Sequence, residues 1–161
     1  MPGDFVMTTD RLDDTDRRLL RVLQHDAGLS QAEIAEQTGL STASCWRRTQ
    51  ALESRGVLGK LVRLVDPQAV DCGVNVLCNV RMNSHAARDR QNFETFVAGC
   101  AEVMECYSVC GEWDYLLRVV VSGVAAYERF LMREILAHPS VATAASQFAL
   151  SQVKYTTALP V

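Results

Sequence analysis

Apolar residues recur at helical spacing near the start of the chain. Leu19, Leu20 and Leu23 make one apolar stripe, and Asp13 and Asp14 precede it. Carboxylates are favourable at a helix N-terminus, where the first backbone N–H groups lack partners. The pattern predicts a first helix over residues 13–24.

A second helix and a tight turn follow. Ser30 and Glu33 stand at the spacing of a capping box, in which each side chain accepts a hydrogen bond from the backbone amide of the other residue. Ile34 and Ala35 are then expected to face inward. Gly39 ends this helix, because glycine can adopt a positive φ without a Cβ clash.

The third predicted helix begins after Ser41, whose hydroxyl can cap it. Cys45, Thr49 and Leu52 fall at i, i+4 and i+7, so they are expected to face inward. Polar and basic residues lie off this stripe. The segment 57–65 that follows has the composition of a strand leaving the helical part.

Beyond Pro67 the pattern changes from helical spacing to alternation of apolar and polar positions. Alternation predicts strands, and a spacing of three to four predicts helices. The predicted strands cover residues 74–82, 103–110, 113–121 and 141–154, and the predicted helices cover residues 93–100 and 127–135. The order βαββαβ is that of the ferredoxin-like split pattern, in which two helices cover one face of the sheet.

The third predicted strand is apolar on both faces. One face carries Tyr115, Leu117, Val119 and Val121, and the other carries Leu116 and Val120. A sheet face that helices do not cover must bury such residues elsewhere. We expect the open face to pack against another subunit.

Composition restricts the class of protein. The chain has 161 residues, of which 48% are hydrophobic and 22% are charged, which excludes a disordered or fibrous chain. No run of apolar residues is long enough for a membrane span, and the N-terminus lacks the pattern of a secretory signal. We therefore expect a cytoplasmic protein.

Six cysteines raise the question of disulfides, metal binding or redox sensing. Their neighbours are of core type, which favours buried thiols. Cys106 and Cys110 would be about 13 Å apart along a strand, too far for one metal ion or one disulfide. His85 and His138 have no ligand-like spacing, so we expect no metal site. A thiol-responsive regulator stays open as the alternative function.

The net charge of −3 hides a basic segment. Between Thr42 and Arg63 there are five cations and one anion, on and after the exposed side of the third helix. The pattern is that of a helix-turn-helix motif, in which a tight turn joins two helices and the second helix enters the major groove. The first turns of that second helix carry short polar and basic side chains. DNA binding is favoured over a helix pair used only for packing.

Individual side chains of the third helix receive separate expectations. DNA contacts are expected from Ser41, Thr42, Ser44, Arg47, Arg48 and Gln50. For Arg48 two roles stay open, a phosphate contact and a salt bridge to the acidic first helix. Trp46 could touch DNA, but packing against a neighbouring helix or the exit strand is favoured.

The sequence shows no sign of an active site. It has no nucleophile elbow, no glycine-rich loop for phosphate and no paired histidine and carboxylate set. Although ferredoxin-like domains also occur in enzymes, we expect no catalysis.

The segment LDDTDRRLLRVLQHDAGLSQAEIAEQTGLSTASCWRRTQALESRGVLGKLVRLVDP resembles the winged helix-turn-helix half of the Lrp/AsnC family of prokaryotic transcription regulators. The second half is similar to that family's amino-acid-sensing domain through SVCGEWDYLLRV and FALSQVKYTTALP. Departures are small, such as Thr49 where Val or Ile is usual. The resemblance implies an α+β chain with a winged helix-turn-helix at residues 12–59, a linker strand at 60–67 and a ferredoxin-like domain at 68–161.

The resemblance further implies a regulator that binds double-stranded DNA and responds to a small effector. It implies a homodimer built through the sensing sheet, often assembled into tetramers, octamers or larger oligomers, with amino acids bound where dimers meet. No cofactor and no membrane partner are implied.

By the same resemblance, two short segments are expected to line the effector pocket. They are Gly111, Glu112, Trp113 and Asp114 in a hairpin turn, and Ser146, Gln147, Phe148 and Ala149 on the last strand. Exposed amides near Gly111 could receive an α-carboxylate, and Asp114 could accept an α-ammonium. The alternative for Asp114 is a side chain that only stabilises the turn.

Overall fold

The computed structural model describes residues 11–161, which form two compact units. Of these, the first unit comprises residues 11–63 together with Lys154–Val161, and the second comprises Leu64–Val153. Within the described residues, no helix is both long and apolar enough to cross a membrane.

Three helices build the first unit: α1 (Asp14–His25), α2 (Gln31–Thr38) and α3 (Thr42–Ser54). The cap of each helix is a short side chain next to an apolar stripe. The Asp13 carboxylate accepts the Asp16 N–H at 2.6 Å. The Ser30 capping box is complete, and the Ser41 hydroxyl accepts the Ser44 N–H. All three predicted helices are therefore present, within one residue of the predicted start of α1.

The core of the first unit comes from the predicted apolar stripes. Its buried members are Leu19, Leu20, Ile34, Ala35, Cys45 and Leu52. Gly39 has a φ of +68°, so the turn between α2 and α3 uses the left-handed conformation that the sequence predicts.

The end of the chain returns to α1. The Gln24 side chain accepts the Leu159 N–H at 2.7 Å and donates to the Leu159 carbonyl at 3.3 Å. The Arg21 Nε donates to the Val161 carbonyl at 2.6 Å, and Val161 packs against the helical core. Residues 154–161, which we call the C-terminal tail, therefore belong to the helical unit and not to the predicted domain at 68–161.

The linker strand predicted at residues 60–67 is wrong. Residues 59–66 have no regular secondary structure and pair with no strand in the described structure. Leu61, Val62, Leu64 and Val65 are each at least 64% exposed. A strand needs a neighbour for its backbone hydrogen bonds, and the described chain supplies none here.

The second unit has the predicted βαββαβ order. Its elements are β1 (Val74–Met82), α4 (Ala87–Ala98), β2 (Val103–Ser108), β3 (Tyr115–Val121), α5 (Val124–Phe130) and β4 (Val141–Phe148). A wider π-type turn at Leu131–Ile135 continues α5. The strands pair antiparallel in the order β2-β3-β1-β4, with an irregular register near Arg81 and Met82. The fold class is α+β with a ferredoxin-like sheet, as predicted, although β2, β3 and β4 are shorter than expected.

Alternate residues of the strands pack under the two helices. On β1 and β3 these are Val76, Cys78, Val80, Tyr115, Leu117 and Val119, which contact Phe93, Val97, Tyr127 and Ile135. The other side of the sheet, which we call the open face, carries Leu77, Leu116 and Val120. These are only partly buried.

Candidate nucleic-acid interface and effector site

The exposed side of α3 lies opposite its buried residues. Cys45 and Leu52 are fully buried, and Thr42, Arg47 and Gln50 are exposed. Ser41 is exposed as well, although its hydroxyl is occupied as the cap of the helix. The side of α3 that faces solvent therefore carries short polar groups and one exposed cation in its first turns, which suits a groove-reading helix.

Two other predicted contacts are partly engaged within the unit. Ser44 is half-buried. The Gln50 amide donates to the Glu53 carboxylate at 2.9 Å. Both remain at the surface, and the hydrogen bond of Gln50 is exposed to solvent.

Arg48 is held by the first helix. Its Nη1 lies 2.6 Å from Oδ1 of Asp16 and 2.9 Å from Oδ2 of Asp13. The hydrogen bond to Asp16 raises the pKa of the Arg48 guanidinium above its usual value, and the hydrogen bond to Asp13 raises it further. The structure thus favours the salt bridge over the phosphate contact, and Arg48 fixes α3 against α1.

The expectation that Trp46 packs inside the unit is wrong. Its residue surface is 59% exposed, although the neighbouring Cys45 is fully buried. Adjacent positions on a helix point about 100° apart, so a core neighbour does not bring Trp46 inward. Trp46 lies one turn after Thr42 on the exposed side.

The loop between β2 and β3, residues 109–114, is here called the hairpin loop. Gly111 has a φ of +122°, in the region that favours glycine. Arg81 holds the loop: its Nε donates to the Glu112 carbonyl at 3.1 Å and its Nη2 lies 2.9 Å from the Glu112 carboxylate. The Arg81 guanidinium also lies 5.0 Å from the centre of the Trp113 ring. The loop is therefore tied to the sheet by one arginine.

Asp114 also ties the hairpin loop to β1. Its Oδ2 accepts the Met82 N–H at 2.7 Å, and its own N–H donates to the Val80 carbonyl at 3.0 Å. Oδ1 lies 3.3 Å from Nδ1 of His85. The turn-stabilising role of this carboxylate is thus present. Because an ionised carboxylate has about four acceptor positions, an effector contact at Oδ1 is chemically compatible with it.

The residues predicted on the last strand point to different sides. The Ser146 hydroxyl is hydrogen-bonded to that of Tyr127, on the helix side of the sheet. The Phe148 ring meets Tyr127 edge-on with 5.4 Å between ring centres. Gln147 lies on the open face opposite Leu77. Ala149 follows the strand.

The structure does not bring the two predicted effector segments together in one chain. Phe148 pairs with Val76 on β1, whereas Asp114 bonds to Val80 and Met82 at the other end of that strand. Four to six residues of strand correspond to about 13–20 Å, so Phe148 lies far from Asp114 within one chain. Ser146, which pairs with Cys78, lies nearer.

The cysteines are only partly as predicted. Cys45 and Cys78 are buried, but Cys106 and Cys110 are exposed, so the expectation of six buried thiols is wrong for these two. Strand β2 lies at the edge of the sheet and leaves Cys106 uncovered on one side. Partial burial, with Glu94 nearby, nevertheless raises the pKa of the Cys106 thiol to about 11.

A raised pKa disfavours the reactive thiolate. Burial likewise raises the pKa of Cys78. Among the described residues, no three side chains of the metal-binding types are grouped to hold an ion. The thiol-responsive alternative finds no support.

One groove was not predicted from the sequence. It has a volume of about 320 Å³ and lies between α4 and the edge strand β2, with Glu94, Met104, Glu105 and Cys106 on its walls. Such a groove depends on how far a helix stands from an edge strand, which no local sequence signal records.

Family comparisons match both units. Residues 12–58 match a family described as winged helix-turn-helix DNA-binding, and residues 75–159 match the Lrp/AsnC ligand binding domain. The second match alone covers more than half of the chain.

Individual relatives agree. The chain is 37% identical over 150 residues to the glutamate uptake regulatory protein of Zymomonas mobilis, covering 93% of this chain and 91% of that protein. It is equally identical to the DNA-binding transcriptional activator DecR of Escherichia coli, covering 93% and 99%. The transcriptional regulator NMB0573 of Neisseria meningitidis, solved as a complex with L-Met, superimposes with a TM-score of 0.89 at 34% identity, covering 93% and 97%. These relatives are transcriptional regulators and not enzymes, which agrees with the absence of catalytic motifs in the sequence.

Proposed function

Because the chain belongs to the Lrp/AsnC family of DNA-binding transcriptional regulators, we propose that its effector is an amino acid or a close relative, bound between copies of the chain. The separation of the two predicted effector segments carries this proposal. Asp114 and Phe148 lie near opposite ends of β1, so the hairpin loop of one copy would meet the end of the last strand of another. The relative solved with L-Met supports an amino acid as the class of effector.

The chemistry of the hairpin loop suits a zwitterion. Backbone amides around Gly111 offer donors to an α-carboxylate, and Oδ1 of Asp114 offers an acceptor to an α-ammonium. Arg81 holds the loop through Glu112, so the donors are positioned before the effector arrives. Gln147 of a second copy, which lies on the open face, would then select the side chain.

The DNA interface consists of the first turns of α3. Ser41, Thr42, Ser44 and Arg47 approach the base edges and Gln50 follows one turn later. Arg48 contributes by fixing the angle of α3 against α1, through its bonds to Asp13 and Asp16.

Association of copies follows from uncovered apolar surface. Leu77, Leu116 and Val120 lie on the open face, and four apolar residues at 61–65 are exposed. Surface of this kind favours a homo-oligomer over a monomer. In a two-fold assembly the paired α3 helices would contact two related half-sites, about one helical turn or a multiple of it apart.

The effector can be identified by a thermal-shift screen of the twenty amino acids. A ligand that binds only the folded protein stabilises it, by about 2.7 kcal/mol at a hundred times its dissociation constant. We expect one amino acid or a small group to raise the melting temperature and to change DNA binding. No response to any amino acid, in reducing buffer, would contradict an amino-acid effector.

Mixing two variants tests whether the site lies between copies. Glu112→Ala alters the hairpin loop and Gln147→Ala alters the last strand, and each is expected to weaken effector binding by itself. Co-refolded mixtures contain oligomers in which an unaltered loop meets an unaltered last strand, so a fraction of the sites should recover full affinity. A site contained in one chain would show no recovery.

A further inference from the structure

We propose that Trp46 contacts DNA, with its indole ring packed against a thymine methyl group in the major groove. This assigns a specificity-determining role to a residue outside the polar set described above. It rests on the DNA-binding function of α3 and refines how that helix reads sequence.

The position of Trp46 on α3 is the first observation. Ala43 and Gln50 lie along one line on the exposed side, and Trp46 and Arg47 stand about 50° to either side of that line. Both flanking side chains are exposed, and Ala43 between them is small. A helix with this surface can approach the groove closely, with a large apolar ring on one flank and a cation on the other.

The second observation is that Trp46 lacks a polar or aromatic partner within the described residues. No hydrogen bond, ring contact or cation contact involves it within the described residues, and 59% of its surface is exposed. A tryptophan buries a large apolar area on contact and carries an N–H donor, which is why this residue type is enriched at interfaces.

The surroundings of Trp46 decide between DNA and a protein partner. Its exposed neighbours on α3 are Thr42, Arg47 and Gln50, which are polar or basic. The following segment to Arg63 adds Lys60 and two more arginines, together with the exposed Leu61 and Val62. A protein-binding tryptophan is expected within a wider apolar patch, whereas a polar and cationic setting matches the phosphate backbone.

The chemistry of the groove supplies the contact. The thymine C5-methyl is the apolar group that the major groove displays, and side chains recognise it by apolar contact. The indole Nε1–H is a donor that can reach a phosphate oxygen from the same position. Arg47, on the other flank, would contact guanine or phosphate.

The test uses a duplex that the wild-type protein selects from a random-sequence DNA library. Each thymine of the selected duplex is replaced in turn by deoxyuracil, which removes only the methyl group. We expect one position in each half-site where this replacement weakens wild-type binding about fourfold, the effect of one buried methyl-sized group. The Trp46→Ala protein should bind the two duplexes equally, and the selected duplex at least about fivefold more weakly than wild type does.

Salt dependence separates Trp46 from the cations. Trp46→Ala removes no charge, so the slope of binding against salt should stay unchanged, whereas Arg47→Ala should reduce it by about one. Trp46→Phe keeps an apolar ring and should retain most of the sensitivity to the methyl group. Because Trp46 is exposed, the melting temperature of each variant should match that of wild type.

Two results would overturn the assignment. One is equal sensitivity to the methyl replacement in wild type and Trp46→Ala. The other is unchanged DNA binding with an altered oligomer size in Trp46→Ala, which would place the ring at a contact between copies. Failure of the wild-type protein to select any duplex would instead contradict the DNA-binding function as a whole.

Discussion

The main-chain N–H of Met82 donates to Oδ2 of Asp114 across 2.7 Å, which joins the end of β1 to the hairpin loop. Met82 is buried, so this amide has little access to water. The carboxylate that we propose as an acceptor for the effector therefore also stabilises the loop that presents it. Loss of effector response in an Asp114 variant has two possible causes, and the choice of substitution separates them.

Asp114→Ala should destabilise the second unit, because it leaves the Met82 N–H without an acceptor at a cost of about 1–3 kcal/mol. Asp114→Asn retains an amide oxygen and should lose much less. Urea denaturation of both variants measures the difference. Glu112→Ala, which removes an exposed ion pair, serves as the control. Equal stability of the Ala variant and wild type would show that the hydrogen bond contributes nothing.

Arg48→Ala should affect stability, whereas Arg47→Ala should affect DNA binding. The Asp16 side chain is only 11% exposed, and loss of Arg48 removes its 2.6 Å partner. We expect Arg48→Ala to lower the free energy of unfolding by about 1–3 kcal/mol. Arg47→Ala should leave stability unchanged and weaken specific DNA binding by about 1–3 kcal/mol. Unchanged specific binding by Arg47→Ala would contradict the assignment of α3 as the reading helix.

The capping box of α2 should make the helical unit sensitive to acid. Hydrogen bonds from the Ser30 hydroxyl and amide hold the pKa of Glu33 below its usual value of 4.5. A carboxylate with a lowered pKa in the folded state stabilises the protein above that usual value, and the contribution disappears as pH falls through the lower folded pKa. Stability measured by urea denaturation should therefore fall below about pH 4.5.

Glu33→Gln is the matched control for this effect, since glutamine also completes a capping box but does not titrate. The variant should keep most of the stability at neutral pH and lose less on acidification than wild type does. The Asp13 carboxylate, whose pKa the Asp16 N–H lowers, will leave a residual dependence. Identical acid profiles for wild type and Glu33→Gln would refute the prediction.

The C-terminal tail should stabilise the helical unit. Removing residues 159–161 deletes the contacts of Leu159 and Val161 with Gln24, Arg21 and the core. We expect a loss of about 1–3 kcal/mol, the sum of a few exposed hydrogen bonds and a partly buried side chain. Hydrogen exchange should accelerate in α1 but not in β1. Acceleration spread evenly over both units would argue against a local role.

Assembly should depend on the open face of the sheet. Leu116→Asp places a charge there, whereas Val124→Asp places the same charge at an exposed apolar position on the helix side. We expect sedimentation to show a smaller species for Leu116→Asp and the wild-type size for Val124→Asp. An unchanged oligomer in both variants would locate the interface elsewhere.

Much of the fold follows from residues close together in the chain. Caps such as Ser30 act within one turn, and the positive φ of Gly39 is a property of that residue and its neighbours. Alternation also identifies which strand residues lie under the helices. The candidate site was harder to predict, because its residues belong to strands that are far apart in the sequence.

Interactions between residues close together in the sequence thus determined the three helices, their caps and the βαββαβ order. Only the tertiary structure decided that Trp46 faces solvent, that Arg48 is bound to α1 and that the C-terminal tail joins the helical unit. It also decided that residues 60–66 lack a strand partner and that Asp114 and Phe148 lie near opposite ends of β1. Capping and periodicity involve residues a few positions apart, whereas these features depend on which distant segments meet and on the rotation of each helix in its core.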